Sequence, residues 1–234
     1  MSTFTNRIFC FWMNDGDLPE VRRRNLNLLI SNCGVEVQLI TKYNLSDWIL
    51  EESPLHPSFE FLSEVHQSDY LRCYFMHHYG GGYSDIKNVH GSWIGFFKFL
   101  KNTDKFDVVG YQEQHPDHIA NTMLDDFEPM DNSTLKMNYN LLIGCGAFIC
   151  KPKTNFTSEW LSKVTEKLSQ YYELLKKNPA THPRDHRHPS TPSSEVKYPL
   201  YWSGLLGNIF HPLSFKYSDR IIRELHYPIM HNYQ

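Results

Sequence analysis

The sequence predicts an α/β fold, on three observations. A short apolar run, Arg7 to Trp12, is followed by a helical stretch and then by a second apolar run, Val35 to Thr41. A helical pattern reaching His78 stops at Gly80-Gly81-Gly82 and releases another short strand. Farther on, an apolar strand, Leu141 to Cys150, leads into the longest helical pattern of the chain, Phe156 to Lys177. Strand, helix and strand in this alternation open a unit whose strands lie parallel and whose crossover is right-handed.

The first strand, Arg-Ile-Phe-Cys-Phe-Trp, is bounded by the turn-rich Asn14-Asp15-Gly16-Asp17. Pro19 suits a first helical turn, and a helix is predicted over Val21 to Ser31, stopped by Asn32-Cys33-Gly34. Arg22-Arg23-Arg24 reads as a solvated helix face rather than an anion site. Leu45 to Glu51 is predicted as a short helix capped by Asn44, and Pro54 and Pro57 break the chain before a helical region from Phe59. Trp93 to Lys101 is an apolar segment, and Asp107 to Tyr111 reads as a strand.

Glu113 to Asn138, with His115-Pro116-Asp117 and Asp125-Asp126, is polar and reads as a long excursion over an active face. Gly144 and Gly146 in the following strand permit close backbone approach. In the long helix, Trp160, Leu161, Val164, Leu168, Tyr171, Leu174 and Leu175 are expected on the buried face. Asn178 to Glu195 is rich in proline and histidine and reads as a flexible loop or lid. Its His182, His186 and His188 are expected to be solvated rather than metal-bound. Tyr198 to Phe210 is a loop-to-helix element; Tyr217 to Leu225 is predicted as a last helix and Tyr227 to His231 as a last strand.

A chain of 234 residues fits a single domain, 1–234, with an adequate core. Charged residues make up 21% and the net charge is −3, which argues against a nucleic-acid footprint or a polybasic membrane patch. Cys10, Cys33, Cys73, Cys145 and Cys150 are scattered and form no Cys-x-x-Cys pair, so neither structural zinc nor a disulfide framework is expected. No signal-type or membrane-spanning apolar run is present in the sequence, so a soluble, cytoplasmic protein is expected.

The chemistry is expected between Ser68 and Lys87. Tyr70, Leu71, Tyr74, Phe75 and His78 give the helix one apolar face, while Asp69 and Arg72, three apart, share a side near its start. Beyond the glycines, Tyr83-Ser84-Asp85-Ile86-Lys87 alternates as a strand, placing Tyr83, Asp85 and Lys87 on one face. The turn offers approachable backbone at Gly81, Gly82 and Ser84, Asp85 a hard oxygen ligand, and Lys87 a cation; these are parts of a phosphate-handling site. No Walker, Gly-x-Gly-x-x-Gly or Gly-x-Ser-x-Gly motif supports a kinase, dehydrogenase or serine hydrolase. Asp85→Ala is expected to abolish turnover and leave the fold intact.

Ser68-Asp69-Tyr70-Leu71-Arg72, followed by Tyr79-Gly80-Gly81-Gly82-Tyr83-Ser84-Asp85, resembles the signature of the DXD-containing glycosyltransferase sugar-binding family. That family includes yeast initiating mannosyltransferases, capsular-polysaccharide transferases and, more distantly, the large clostridial glucosylating toxins. The resemblance implies a GT-A fold, Rossmann-like, with a mixed central sheet flanked by helices. Residues 1–90 would then hold the nucleotide and residues 91–234 the acceptor side.

It further implies a retaining transferase that uses a nucleotide-sugar donor, UDP-sugar favoured, with Mn²⁺ or Mg²⁺, and a glycan or other hydroxyl acceptor. By position, Asp69 and Arg72 match the residues holding the donor sugar, Tyr83 the one beside the diphosphate, and Asp85 the first DXD carboxylate. Phe11 and Trp12 would lie near the nucleobase. Met230-His231-Asn232-Tyr233-Gln234 resembles the start of the family's closing C-terminal element, which makes His231 a candidate metal ligand beside Asp85.

Lys87 stands where the second DXD aspartate belongs, and a charged lysine cannot ligate a metal. Either Asp85 holds a metal with His231 or His226 and diphosphate oxygens, which is the favoured expectation, or the Lys87 ammonium takes over part of the diphosphate charge. A nucleotide-sugar-binding protein that has lost transfer activity through Lys87, and a structural domain that binds no nucleotide, are the alternatives. Gly144 to Ala147, Trp202 to Gly204 and Glu113 to Asn121 are candidate acceptor walls.

Overall fold

Successive side chains of the first strand, β1 (Arg7–Trp12), point to opposite sides of a central sheet. Phe9 and Phe11 enter one apolar core; Ile8, Cys10 and Trp12 enter another. The computed structural model describes residues 4–122, 131–192 and 195–229. Within them β1 is followed by α1 (Glu20–Cys33), β2 (Glu36–Thr41), α2 (Glu64–His78), β3 (Gly81–Ser84), α3 (Ile94–Lys101) and β4 (Val108–Gln112). Then come α4 (Asn132–Met137), β5 (Ile143–Cys150), α5 (Asn155–Lys177), α6 (Gly207–Lys216) and β6 (Ile221–Ile222).

The described strands form one six-stranded mixed sheet in the order β2-β1-β3-β5-β4-β6. β1 pairs in parallel with β2 and β3, β4 pairs in parallel with β6, and β5 runs antiparallel to β3 and β4. Residues on α2, α5 and α6 build the core on one face, and residues on α1 and α3 build it on the other. The α/β expectation therefore holds, with a mixed sheet flanked by helices. β3 pairs with β5, so the sheet runs unbroken through residues 1–90 and 91–234.

This order creates the position that matters. From β1 the chain goes to β2 on one side, and β3 then returns to the other side of β1. Strand order reverses there, and in open α/β sheets ligands bind in the crevice beyond the carboxyl ends of the strands at such a point.

Several local expectations change. Leu45–Trp48 is a single 3₁₀ turn, because Asn44 spends its side chain accepting from Thr41 N at 2.8 Å and donating to Leu39 O at 3.1 Å. β3 stops at Ser84 rather than reaching Lys87, since the chain turns tightly there, with Lys87 N donating to Asp85 O at 2.6 Å.

Tyr217–Leu225 is not a helix. A 3₁₀ turn, Ser218–Arg220, leads into β6, whose β-branched pair extends the sheet edge beside Val108 and Val109. Arg220 holds the turn through a two-pronged contact with Asp107, at 3.0 Å on each oxygen. Residues 226–229 form no strand, and Ile229 N donates to Asn88 O at 3.0 Å; residues 230–234 lie outside those described.

In α5 the buried stripe is Phe156, Trp160, Val164, Leu168 and Leu175, each contributing about 2 kcal/mol by burial. Leu174 instead faces out, half exposed. A Thr154–Thr157 capping box starts that helix.

Residues 178–192 are tied down more than a free lid would be. Asp185 Oδ2 accepts from the backbone of Thr181 and His182, and Val65 N donates to Pro183 O at 3.2 Å.

Candidate functional site

The site grows from the end of α2. Residues 64–78 form a helix because Tyr70, Leu71, Tyr74 and Phe75 bury one broad face. Gly80 and Gly81 then take φ of +63° and +93°, a region that favours glycine. A Cβ at Gly80 would lie 2.5 Å from Pro152 Cδ, and one at Gly81 2.8 Å from Arg7 O. The glycines thus let the chain reverse into β3 between two neighbouring backbones.

β3 delivers Tyr83 to the core face, where its ring stacks on Phe11 at 5.6 Å. Its hydroxyl donates to Asp85 Oδ1 at 2.6 Å. Arg72, three residues on from Asp69 in α2, lies with its guanidinium 4.4 Å from the Tyr83 ring centroid. It donates from Nη2 to the same Asp85 Oδ1 at 3.2 Å and places Nη1 3.4 Å from Asp69 Oδ1. Lys87 Nζ donates to Asp85 Oδ2 at 2.8 Å.

Asp69, Arg72, Tyr83, Asp85 and Lys87 are therefore brought together at the carboxyl end of β3. Gly81, Gly82 and Ser84 form the buried strand beneath them. Trp12 does not join: it points to the opposite face of the sheet and donates its indole N–H to Gly16 O at 3.3 Å.

β5 closes the far wall. Asp85 N donates to Gly146 O at 2.8 Å, which continues the β3–β5 ladder one residue past the strand. A Cβ at Gly146 would sit 3.3 Å from Asp85 Oδ2 and 3.2 Å from Tyr111 Oη, so its missing side chain is what admits the carboxylate. The expectation of close approach along this strand holds, and the group admitted belongs to the protein itself.

The two carboxylates differ. Burial lifts the Asp69 carboxyl, with Arg72 offsetting only part of this, and leaves it at about 7. Burial acts on Asp85 as well, but Arg72, Lys87 and the Tyr83 hydroxyl outweigh it and hold that carboxyl below its ordinary value. Asp85 is thus the firmly charged hub. Among the described residues Arg72 Nε, which is buried, has no hydrogen-bond partner.

A second polar group, Glu113, His211 and Cys145, lies beside the hub. His211 Nδ1 accepts from Ala120 N at 3.2 Å, which leaves the proton on Nε2. Nε2 faces Glu113 Oε1 at 3.4 Å and Cys145 Sγ at 3.6 Å. Burial pushes the Cys145 thiol well up, and Glu113 adds to this, which favours the neutral thiol over the thiolate.

Glu113 falls within the loop expected to face an acceptor, but nothing in the sequence singles out His211, which sits on α6. Trp202 is half exposed, with His186 edge-on to it at 5.1 Å and the Arg184 guanidinium 5.8 Å from its ring.

For a divalent metal the donor set as it stands does not fit. Both Asp85 oxygens already accept from cationic or hydroxyl donors, and Asp69 faces Arg72. Mn²⁺ or Mg²⁺ needs several oxygens directed at one point. Among the described residues no group of three or more His, Cys, Asp or Glu gathers as metal ligands; His231 lies outside those residues. Among them, too, no helix is long and apolar enough to cross a membrane. Compared with known proteins, the chain matches no family model and no curated sequence.

Proposed function

We propose that this protein is a glycosyltransferase of the GT-A type. It moves a sugar from a nucleotide-diphosphate sugar, UDP-sugar favoured, to a glycan or other hydroxyl acceptor with retention of configuration. One observation carries the reading. Arg72 and Lys87 converge on Asp85 at the carboxyl end of β3, beside the reversal of strand order, where an anionic ligand is expected in this class of sheet.

In the proposed reaction the bond from the anomeric carbon to the diphosphate breaks, and its electron pair leaves on the phosphate oxygen. The acceptor oxygen bonds to the same carbon from the same face, and its proton passes to the departing phosphate. Arg72 and Lys87 stabilise the charge that develops on the leaving group. The Nε–H of Arg72, which has no partner among the described residues, is a further donor for it. Asp69, whose carboxyl burial raises to about 7, offers a sugar hydroxyl an acceptor in its ionised form and also a donor in its protonated form. The Glu113–His211 wall lies on the acceptor side.

A panel of UDP, GDP and CMP followed by thermal unfolding tests the binding half; a diphosphate-specific rise in melting temperature is expected. Release of sugar from the matching donor tests the chemistry. The engagement of both Asp85 oxygens favours one competing reading, a nucleotide-sugar-binding protein without transfer. Tight diphosphate binding with no hydrolysis or transfer would establish that alternative, and no nucleotide response at all would overturn both.

A further inference from the structure

We propose that Lys87 is a built-in counter-charge, so that the site holds a nucleoside diphosphate without a divalent cation. The inference rests on the reading of the site as a diphosphate site. Lys87 is buried to 6% exposure, and its ammonium reaches Asp85 Oδ2 at 2.8 Å. The tight turn after Ser84 brings it back there, with Lys87 N bonded to Asp85 O. Arg72 takes the other oxygen at 3.2 Å and is itself only 12% exposed.

Charge decides the matter. Even with Asp69 and Asp85 both ionised, Arg72 and Lys87 balance them, so these four groups bring no surplus of negative charge to an arriving diphosphate; the neighbouring Glu113 carboxylate faces His211 instead. A carboxylate in place of Lys87 would shift the local charge by two units, the charge of one divalent ion. A metal ion entering the present cluster would have to displace Lys87 from Oδ2 and then sit beside its ammonium, where low-dielectric surroundings make like-charge repulsion large. In the proposed complex the ammonium, a compact point charge, acts on the phosphate oxygens from its place at Asp85.

The test is a binding titration with inorganic pyrophosphate, UDP and GDP, each in EDTA and each with Mn²⁺. It uses the wild-type protein and the variants Lys87→Met, Lys87→Arg and Lys87→Asp. Wild-type affinity for pyrophosphate, and for UDP or GDP, is expected to agree within about twofold with and without metal. Lys87→Met should lose about tenfold or more, consistent with a lost charge-assisted contact, while Lys87→Arg stays within about threefold. Lys87→Asp should bind only with Mn²⁺.

Wild-type binding that vanishes in EDTA and returns with Mn²⁺ overturns this inference while leaving the diphosphate site standing. So does a folded Lys87→Met variant that binds as wild type in EDTA. Failure of all three probes under both conditions overturns the site reading and this inference with it. Should Lys87→Met not fold, the chelator comparison on wild type and Lys87→Arg still decides.

Discussion

Arg72 on α2 donates from Nη2 to Oδ1 of Asp85, thirteen residues later and one residue past β3, at 3.2 Å. That contact joins a helix to the end of a strand across the glycine turn. It makes Asp85 part of the fold as well as of the site, and it alters what the simplest variant should do. Asp85→Ala leaves two largely buried cations, Arg72 and Lys87, without their shared anion. A loss of about 3 kcal/mol in urea unfolding is expected, on the scale of breaking a buried ion pair, together with loss of turnover. The sequence alone suggested a variant with an intact fold; unchanged stability would show that the cluster is far more hydrated than its burial implies.

Tyr83→Phe isolates one bond. It keeps the stack on Phe11 and the ring under Arg72 but removes the 2.6 Å hydrogen bond to Asp85 Oδ1. The expected cost is about 1.5 kcal/mol, the worth of a hydrogen bond to a charged group. Diphosphate affinity should fall by less than with Lys87→Met, which isothermal titration can compare directly.

The two glycines of β5 should separate stability from site geometry. A Cβ at Gly144 would fall 2.0 Å from Tyr111 Cζ, an aromatic ring with a buried neighbourhood and no room to retreat. Gly144→Ala is therefore expected to cost about 3 kcal/mol or to prevent folding, as severe overpacking does. At Gly146 the new Cβ would meet Asp85 Oδ2 at 3.3 Å and Tyr111 Oη at 3.2 Å, distances that a shift of a few tenths of an ångström relieves. Gly146→Ala should cost about 1 kcal/mol or less, yet weaken diphosphate binding by displacing Asp85. Equal effects of the two changes in thermal melts would contradict this.

His66 makes stability depend on acid. It lies fully buried in the first turn of α2, where Nε2 donates to Tyr201 O at 3.0 Å and Nδ1 accepts from Ser63 and Tyr198 hydroxyls at 3.0 Å. Burial pulls its pKa from 6.5 down to about 4. Between those values the unfolded chain binds the proton and the folded one does not. Its contribution is complete above pH 6.5 and disappears as the pH falls towards 4, a swing of about 3 kcal/mol.

Asp69 runs the other way. Its carboxyl is raised from 3.8 to about 7, so its ionisation penalises the fold above pH 7 and is relieved as the pH falls to 3.8. The check is the difference between wild type and His66→Gln in urea unfolding at pH 7 and pH 4.5. That difference should shrink at the lower pH; a constant difference would exclude His66 as the source.

The sequence by itself determined the α/β alternation, the helix that ends in glycine, and the residues that meet there. Those features rest on local physics: a period of 3.6 giving way to a period of 2, and glycines at positive φ. Asp69, Arg72, Tyr83 and Asp85 lie within one helix–turn–strand, so their meeting needs no long-range information.

Tertiary structure decided the rest. Trp12 was separated from Phe11 because neighbouring residues of a strand face opposite sides of a sheet. β6 formed where a helix was expected, because Ile221 and Ile222 found an open edge at β4, a partner more than a hundred residues away. His211 joined Glu113 only through the packing of α6 on β5. Most consequentially, the tight turn after Ser84 brought the Lys87 ammonium back onto Asp85. The sequence shows that a lysine stands at that position; only the fold shows that its charge is already spent on the carboxylate a metal would need.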